Sequence, residues 1–282
     1  MANQNLPALL NSDVIKNRFN EVLGKNATAF VSTLANICTN NPQLQNCDGR
    51  SVIGAAMLST TLNLSITPSL GQAYIVPFKT WDKETRKEIY KAQLQIGVRG
   101  YIQLAHRTGQ YTRLHAGKMC EGEFRGFNPL TGEIILGEKI SDDVVGYVAY
   151  MKLVNGFEKT IFMSKTEMEA HAEKYSQSYS YDKRTGKSSS PWSTNFDGMA
   201  AKTVLKKLLR TWGTLNTNLM TAIEGDQSVV DKDTFTYVDN GGNVQKRDEI
   251  LLPEEQPAVD AETGEVEGLK FETEEKKDGV PF

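Results

Sequence analysis

The stretch DGMAAKTVLKKLLRTWG, residues 197–213, decides how the chain must be built. At 100° per residue, Ala201, Val204, Leu205, Leu208, Leu209 and Trp212 fall within one arc, which predicts an amphipathic helix lying on a core. Lys202, Lys206 and Arg210, spaced i, i+4 and i+8, line the opposite side with Lys207 beside them. A solvated helix usually mixes signs so that i,i+4 pairs support it, yet no Asp or Glu occurs between Asp197 and Glu224. Like-charged neighbours of this kind cost roughly a few tenths of a kcal/mol each, and a polyanion would neutralise them. The alternative is that acids elsewhere in the fold pair with them.

Working outward, the first sixty residues read as helices over 13–23, 28–39 and about 49–64, the second with Phe30, Val31, Leu34 and Ile37 on one face. From Gln72 the apolar period changes to two: GQAYIVPFK and YKAQLQIGV predict a hairpin joined by the polar segment from Trp81 to Lys87. RGYIQLAHR predicts a short helix, and YTRLHAGKM returns to strand alternation. FNPLTGEIIL offers a turn at 128–132, and VVGYVAYMKL pairs with FEKTIFM around the turn dipeptide Asn155-Gly156. A helix follows over 164–175, opening with the capping-box pattern S-K-T-E. The polar run SQSYSYDKRTGKSSSPW has no apolar period and reads as a mobile loop. The whole predicts an α+β fold: N-terminal helices, a mostly antiparallel sheet with inserted helices, the basic amphipathic helix, and an acidic C-terminal tail too polar to fold alone.

The overall charge of −3 hides a division. Residues 248–282 hold 12 acids against three lysines, a charge of −9, so residues 1–247 carry +6. A basic body with an acidic tail points to a polyanionic partner. No basic-then-apolar leader opens the sequence and no window approaches a membrane span, so no membrane partner is expected and a cytoplasmic location is. Cys38, Cys47 and Cys120 read as buried reduced thiols.

Further cations qualify as contacts to a nucleic acid: Lys79 on the first hairpin, and Arg99, Arg107, Arg113 and Lys118 around the second half of the sheet. In the loop after Tyr175, Tyr179, Tyr181 and Trp192 alternate with Lys183, Arg184 and Lys187, the mixture a single strand prefers, with cations for phosphates and rings for bases. Of these, Lys187 and Trp192 join the candidate contacts. Bond chemistry finds less support. TGKSS at 185–189 lacks the first glycine of a phosphate loop, since Tyr181 stands there, so no ATP site is expected. His106, His115 and His171 show no zinc spacing with the cysteines. Glu121, Glu123, Asp142 and Asp143 are acids at strand ends and read as solvated rather than catalytic. No cofactor is expected, and a need for magnesium is left open.

Three separated motifs, NLSITPSLGQAYIVPFK, AQLQIGVRGYIQLAHRTGQY and DGMAAKTVLKKLLRTWG, occur in the order found in the RecT family of phage and prophage single-strand annealing proteins, and the chain resembles its Gram-positive phage members. The resemblance implies ATP-independent annealing of single-stranded DNA into duplex, homo-oligomeric rings or helical filaments, an α+β annealing fold, and cooperation with a phage 5′-to-3′ exonuclease. The resemblance runs over roughly Phe30 to Glu224, and the chain is divided accordingly into a helical arm over 1–27, a DNA-binding core over 28–225, a transition segment over 226–247 and a tail over 248–282. The ending DGVPF resembles the tip of bacterial single-strand-binding protein, so host proteins that read such a tip could dock at Pro281 and Phe282, although Lys276 and Lys277 depart from that pattern. A metal-dependent nuclease and a passive single-strand coat are the alternative readings.

Overall fold

A computed structural model describes residues 9, 10, 12–82, 86–128, 130–214, 216–231 and 234–237. The acidic tail with its Pro281-Phe282 tip, most of the turn of the first hairpin and the far end of the transition segment lie outside the described residues.

The N-terminal helices are α1 (Asp13–Leu23), α2 (Ala27–Asn40), α3 (Pro42–Gln45) and α4 (Gly49–Thr61). They cover a hairpin of β1 (Ala73–Asp82) and β2 (Lys87–Ile96), antiparallel as the period of two requires, with Ile75 opposite Leu94. Helix α5 (Val98–Arg107) follows directly. Its Gly100 has a steric reason: a Cβ there would stand 2.2 Å from the Gln72 carbonyl oxygen, so only glycine lets the helix press on the chain entering β1. Next come β3 (Tyr111–Cys120), the small hairpin of β4 (Phe124–Phe127) and β5 (Ile134–Leu136), then β6 (Val144–Leu153) and β7 (Glu158–Ser164). Strands β3, β6 and β7 form an antiparallel sheet in that order. Its register sets Ala116, Ala149 and Ile161 in one row and His115, Tyr150 and Thr160 in the next, so the former row faces the core and the latter the open side.

Helix α6 (Lys165–Tyr175) opens with the expected capping box, in which the Glu167 N–H donates to Ser164 Oγ and the Ser164 N–H to Glu167. The predicted mobile loop is instead ordered as α7 (Gln177–Thr185) and the helical turn α8 (Pro191–Thr194). The reason is Asp182, which is buried and accepts from the N–H and hydroxyl of Ser189, the N–H of Ser190 and the hydroxyl of Ser193. These bonds hold its carboxyl well below the usual range, the Ser190 N–H most of all. An apolar period cannot reveal an element organised by one carboxylate and three serines. Replacing Asp182 with Ala should free residues 186–193, and faster tryptic cleavage after Arg184 and Lys187 would register it; an unchanged rate would show that the aromatic packing suffices.

Helix α9 (Phe196–Trp212) is capped by Asn195, whose side chain accepts from the Gly198 N–H at 3.2 Å. It lies between two apolar clusters rather than on one. Ala200, Val204 and Leu208, spaced by four, pack with Tyr147, Ala149, Met151, Met168 and Ala172 beneath the three-stranded sheet. Leu205 and Leu209 pack instead with the cluster of the N-terminal helices and the first hairpin. Each of these leucines is fully buried, contributing roughly 1.5–3 kcal/mol. Trp212, expected in the core, is corrected by the structure: it lies past the end of the packed ridges and is 43% exposed. Helix α10 (Thr217–Gly225) and the strand pair β8 (Ser228–Asp231) and β9 (Thr234–Tyr237) complete the described chain.

Candidate nucleic-acid interface

The cationic face of α9 is not uniformly solvated. The chain leaves α10 at Asp226, which is fully buried and gathers four donors: Lys202 Nζ at 3.1 Å, Lys206 Nζ at 3.0 Å, the Tyr101 hydroxyl at 3.0 Å and the Ile96 N–H at 2.8 Å. Burial alone would raise the carboxyl, but Lys202, Lys206 and the Ile96 N–H together hold it down at about 2. Burial lowers the Lys202 ammonium against the pull of Asp226. The Lys202 side chain is only 7% exposed and that of Lys206 24%. Lys202 is therefore withdrawn from the outward row that the helical wheel assigned to it, and Lys206 presents little of its charge. Their partner lies 24 and 20 positions downstream, beyond another helix.

The outward cations of α9 are thus Lys207 and Arg210, both exposed. Lys207 faces α6, where its charge helps hold His171 below its ordinary value after burial has lowered it. Elsewhere the predicted residues divide by partner. Lys79 pairs with Glu88 across the first hairpin, and Lys118 reaches Asp197 in the first turn of α9 at 3.7 Å. Asp197 also accepts the Tyr147 hydroxyl at 2.6 Å, fastening the helix start to the sheet. Arg107 donates to the carbonyls of Leu62 and Asn63 at 2.8 and 2.6 Å, a role of bracing the turn after α4. Arg113 stands opposite Lys152 on the open side of the sheet, and Arg99 lies exposed beside Gly71. Lys187 Nζ lies 5.4 Å from the Tyr181 ring centroid, with Arg184 over the same ring.

Trp192, predicted to stack on bases, is 6% exposed and packs edge-on against Phe196 at 5.2 Å, with Tyr179 beside it. It is a core residue. The exposed tryptophan, at the C-terminal end of α9, is instead Trp212, which a wheel counts as core because it falls on the apolar arc.

Among the described residues, no group of three or more His, Cys, Asp or Glu is gathered as a metal site. Asp142 is taken by Lys139, while Glu121 and Asp143 share the Ser141 hydroxyl. Burial pushes the Cys38 thiol up to about 11 and the Cys47 thiol up to about 12, so neither is a nucleophile at neutral pH. Among the described residues, no helix is long and apolar enough to cross a membrane.

What this arrangement defines is an α+β protein with a half-open antiparallel sheet and exposed cations that have no carboxylate within 4.0 Å among the described residues, the type of surface that suits a polyanion. The RecT family model matches residues 28–239. An uncharacterized protein of Bacillus subtilis, YqaK, is 37% identical over 280 residues, covering 98% of this chain and 90% of its own. Protein RecT of Escherichia coli is 28% identical over 215 residues, covering 74% of this chain and 75% of its own. The chain belongs to the RecT family, and so to the proteins of single-strand DNA annealing and recombination.

Proposed function

We propose that this chain binds single-stranded DNA mainly through its phosphates, holds it along a basic groove continued across neighbouring copies, and speeds its pairing with a complementary strand without a nucleotide cofactor. The observation that supports the reading most is a set of cations: Arg99, Arg107, Arg113, Lys187, Lys207 and Arg210 have no carboxylate within 4.0 Å among the described residues. Backbone contacts of this kind give affinity with little sequence preference and leave base edges free to pair. The first residues past the expected core boundary, Asp226 and Ser228, are buried, so the working body includes the start of the segment read as a transition.

No external energy source is needed. Pairing releases a mean of about 1.4 kcal/mol per base-pair step, so about twenty pairs release tens of kcal/mol. The barrier is kinetic: two polyanions repel, and registers must be searched. A surface that screens phosphates lowers both obstacles.

Stopped-flow mixing of complementary fluorescent oligonucleotides, with full-length protein in EDTA and without ATP, should show pairing faster than in its absence. Binding without acceleration would establish a passive coat instead. Strand cleavage that appears only when magnesium is restored would establish a nuclease.

A further inference from the structure

The end of the three-stranded sheet nearest the C-terminus of α9 carries an aromatic pair outside both cores. Trp212 is 43% exposed and Phe157, in the turn between β6 and β7, 41%. Their ring centroids are 6.3 Å apart with planes inclined by 28°. Lys159 Nζ stands 4.7 Å from the indole centroid and has no carboxylate within 4.0 Å among the described residues. The acid beside it in sequence, Glu158, is engaged by Lys152 at 3.5 Å and by the Tyr150 hydroxyl. The backbone fixes the geometry: Leu153 donates its N–H to the Phe157 carbonyl at 2.8 Å, and the Tyr111 hydroxyl accepts the Thr214 N–H at 2.8 Å just past Trp212.

The two rings, held by the ends of separate elements, stack on each other yet each leaves about two-fifths of its surface in water, which marks a surface built for a partner. The charge around it selects the partner. An unpaired ammonium poised over an indole offers both halves of a nucleotide contact at once, a π-face for a base and a cation for the adjoining phosphate. We propose that a nucleobase of bound single-stranded DNA stacks on the Trp212 and Phe157 pair, with the Lys159 ammonium turning from the ring to the neighbouring phosphate. The proposal rests on the single-strand binding reading above and adds to it the ring on which a base sits.

Stacking and phosphate contacts respond differently to salt, and that difference separates the proposal from its parent. Binding of a fluorescent oligo(dT) to the full chain should weaken about five- to a hundred-fold in Trp212→Leu, with the salt slope unchanged, while Trp212→Phe retains most of the affinity. Leu keeps apolar volume and removes the π-face, so this contrast isolates stacking from packing. In a Trp81→Phe background, oligo(dT) should also quench the remaining exposed tryptophan. Equal affinity in the wild type and Trp212→Leu, with Arg210→Ala still weakening binding, would overturn the stacking proposal and leave the phosphate reading intact. So would loss of affinity in Trp212→Leu that merely follows loss of self-association in sedimentation, since the patch would then be a contact between copies. A wild-type chain that fails to bind oligo(dT) at all would remove the parent reading instead.

Discussion

Asp226→Asn should destabilise the folded chain by about 3–5 kcal/mol, the range for breaking a buried ion pair from one side. Asn keeps the shape, but its one carbonyl oxygen can replace only one of the two carboxylate oxygens, which accept from the Ile96 N–H and the Tyr101 hydroxyl respectively. It cannot balance Lys202, which is withdrawn from water and has Asp226 within 3.1 Å, or Lys206 at 3.0 Å. The site also ties four parts of the chain together, the end of β2, helix α5 through Tyr101, helix α9 and the exit from α10, so its failure should be cooperative. A drop in the urea midpoint with little change in slope would report it. Lys202→Met combined with Asp226→Asn should recover part of the loss, because the uncompensated charge is removed along with its partner. A midpoint equal to the wild type in Asp226→Asn would mean that the buried triad does not form.

The same carboxylate sets an acid limit. With its folded value depressed to about 2 and an unfolded value near 3.9, the unfolded state binds more protons between those limits. The contribution of Asp226 is therefore fully present above about pH 4 and is lost as pH falls toward 2. In Asp226→Asn this component of acid sensitivity should be missing from the pH profile of stability.

The second large effect concerns DNA. Lys207→Ala with Arg210→Ala should reduce the single-strand salt slope by about 1.4, or roughly 0.7 per lost phosphate contact, and weaken binding roughly 25-fold at 0.1 M salt. The loss should be uniform across sequences, because phosphates carry no sequence information. Fluorescence anisotropy over a series of salt concentrations gives both numbers. Lys202→Ala behaves differently: buried under Asp226, it should lower stability and leave the slope of the folded protein unchanged. A slope lowered by Lys202→Ala and untouched by the outer pair would restore the helical-wheel assignment.

Much of this chain was legible without coordinates, for local reasons. The alternation of GQAYIVPFK and YKAQLQIGV could place its apolar set on one face only as strands, and Asn155-Gly156 could only be a tight turn. The Ser164 capping box and the four-residue ridges of 197–213 likewise depend on neighbours a few positions away. Asp182 and Asp226 were illegible for the opposite reason. Each is an acid in a polar context whose meaning comes from donors it meets only after folding, seven to eleven residues away for Asp182 and 20 to 130 for Asp226. The exchange of roles between Trp192 and Trp212 has the same origin, since either ring fits a core or a surface equally well by composition.

By itself, then, the sequence determined the kind of elements, their order, the basic body and the family to which its three motifs belong, because periodicity, capping and turn chemistry act over spans of one to eight residues. Only the tertiary structure decided which cations of 197–213 meet solvent. The desolvation of Lys202 is set by a carboxylate brought over it by the next helix, and no pattern within the stretch encodes where that carboxylate will land.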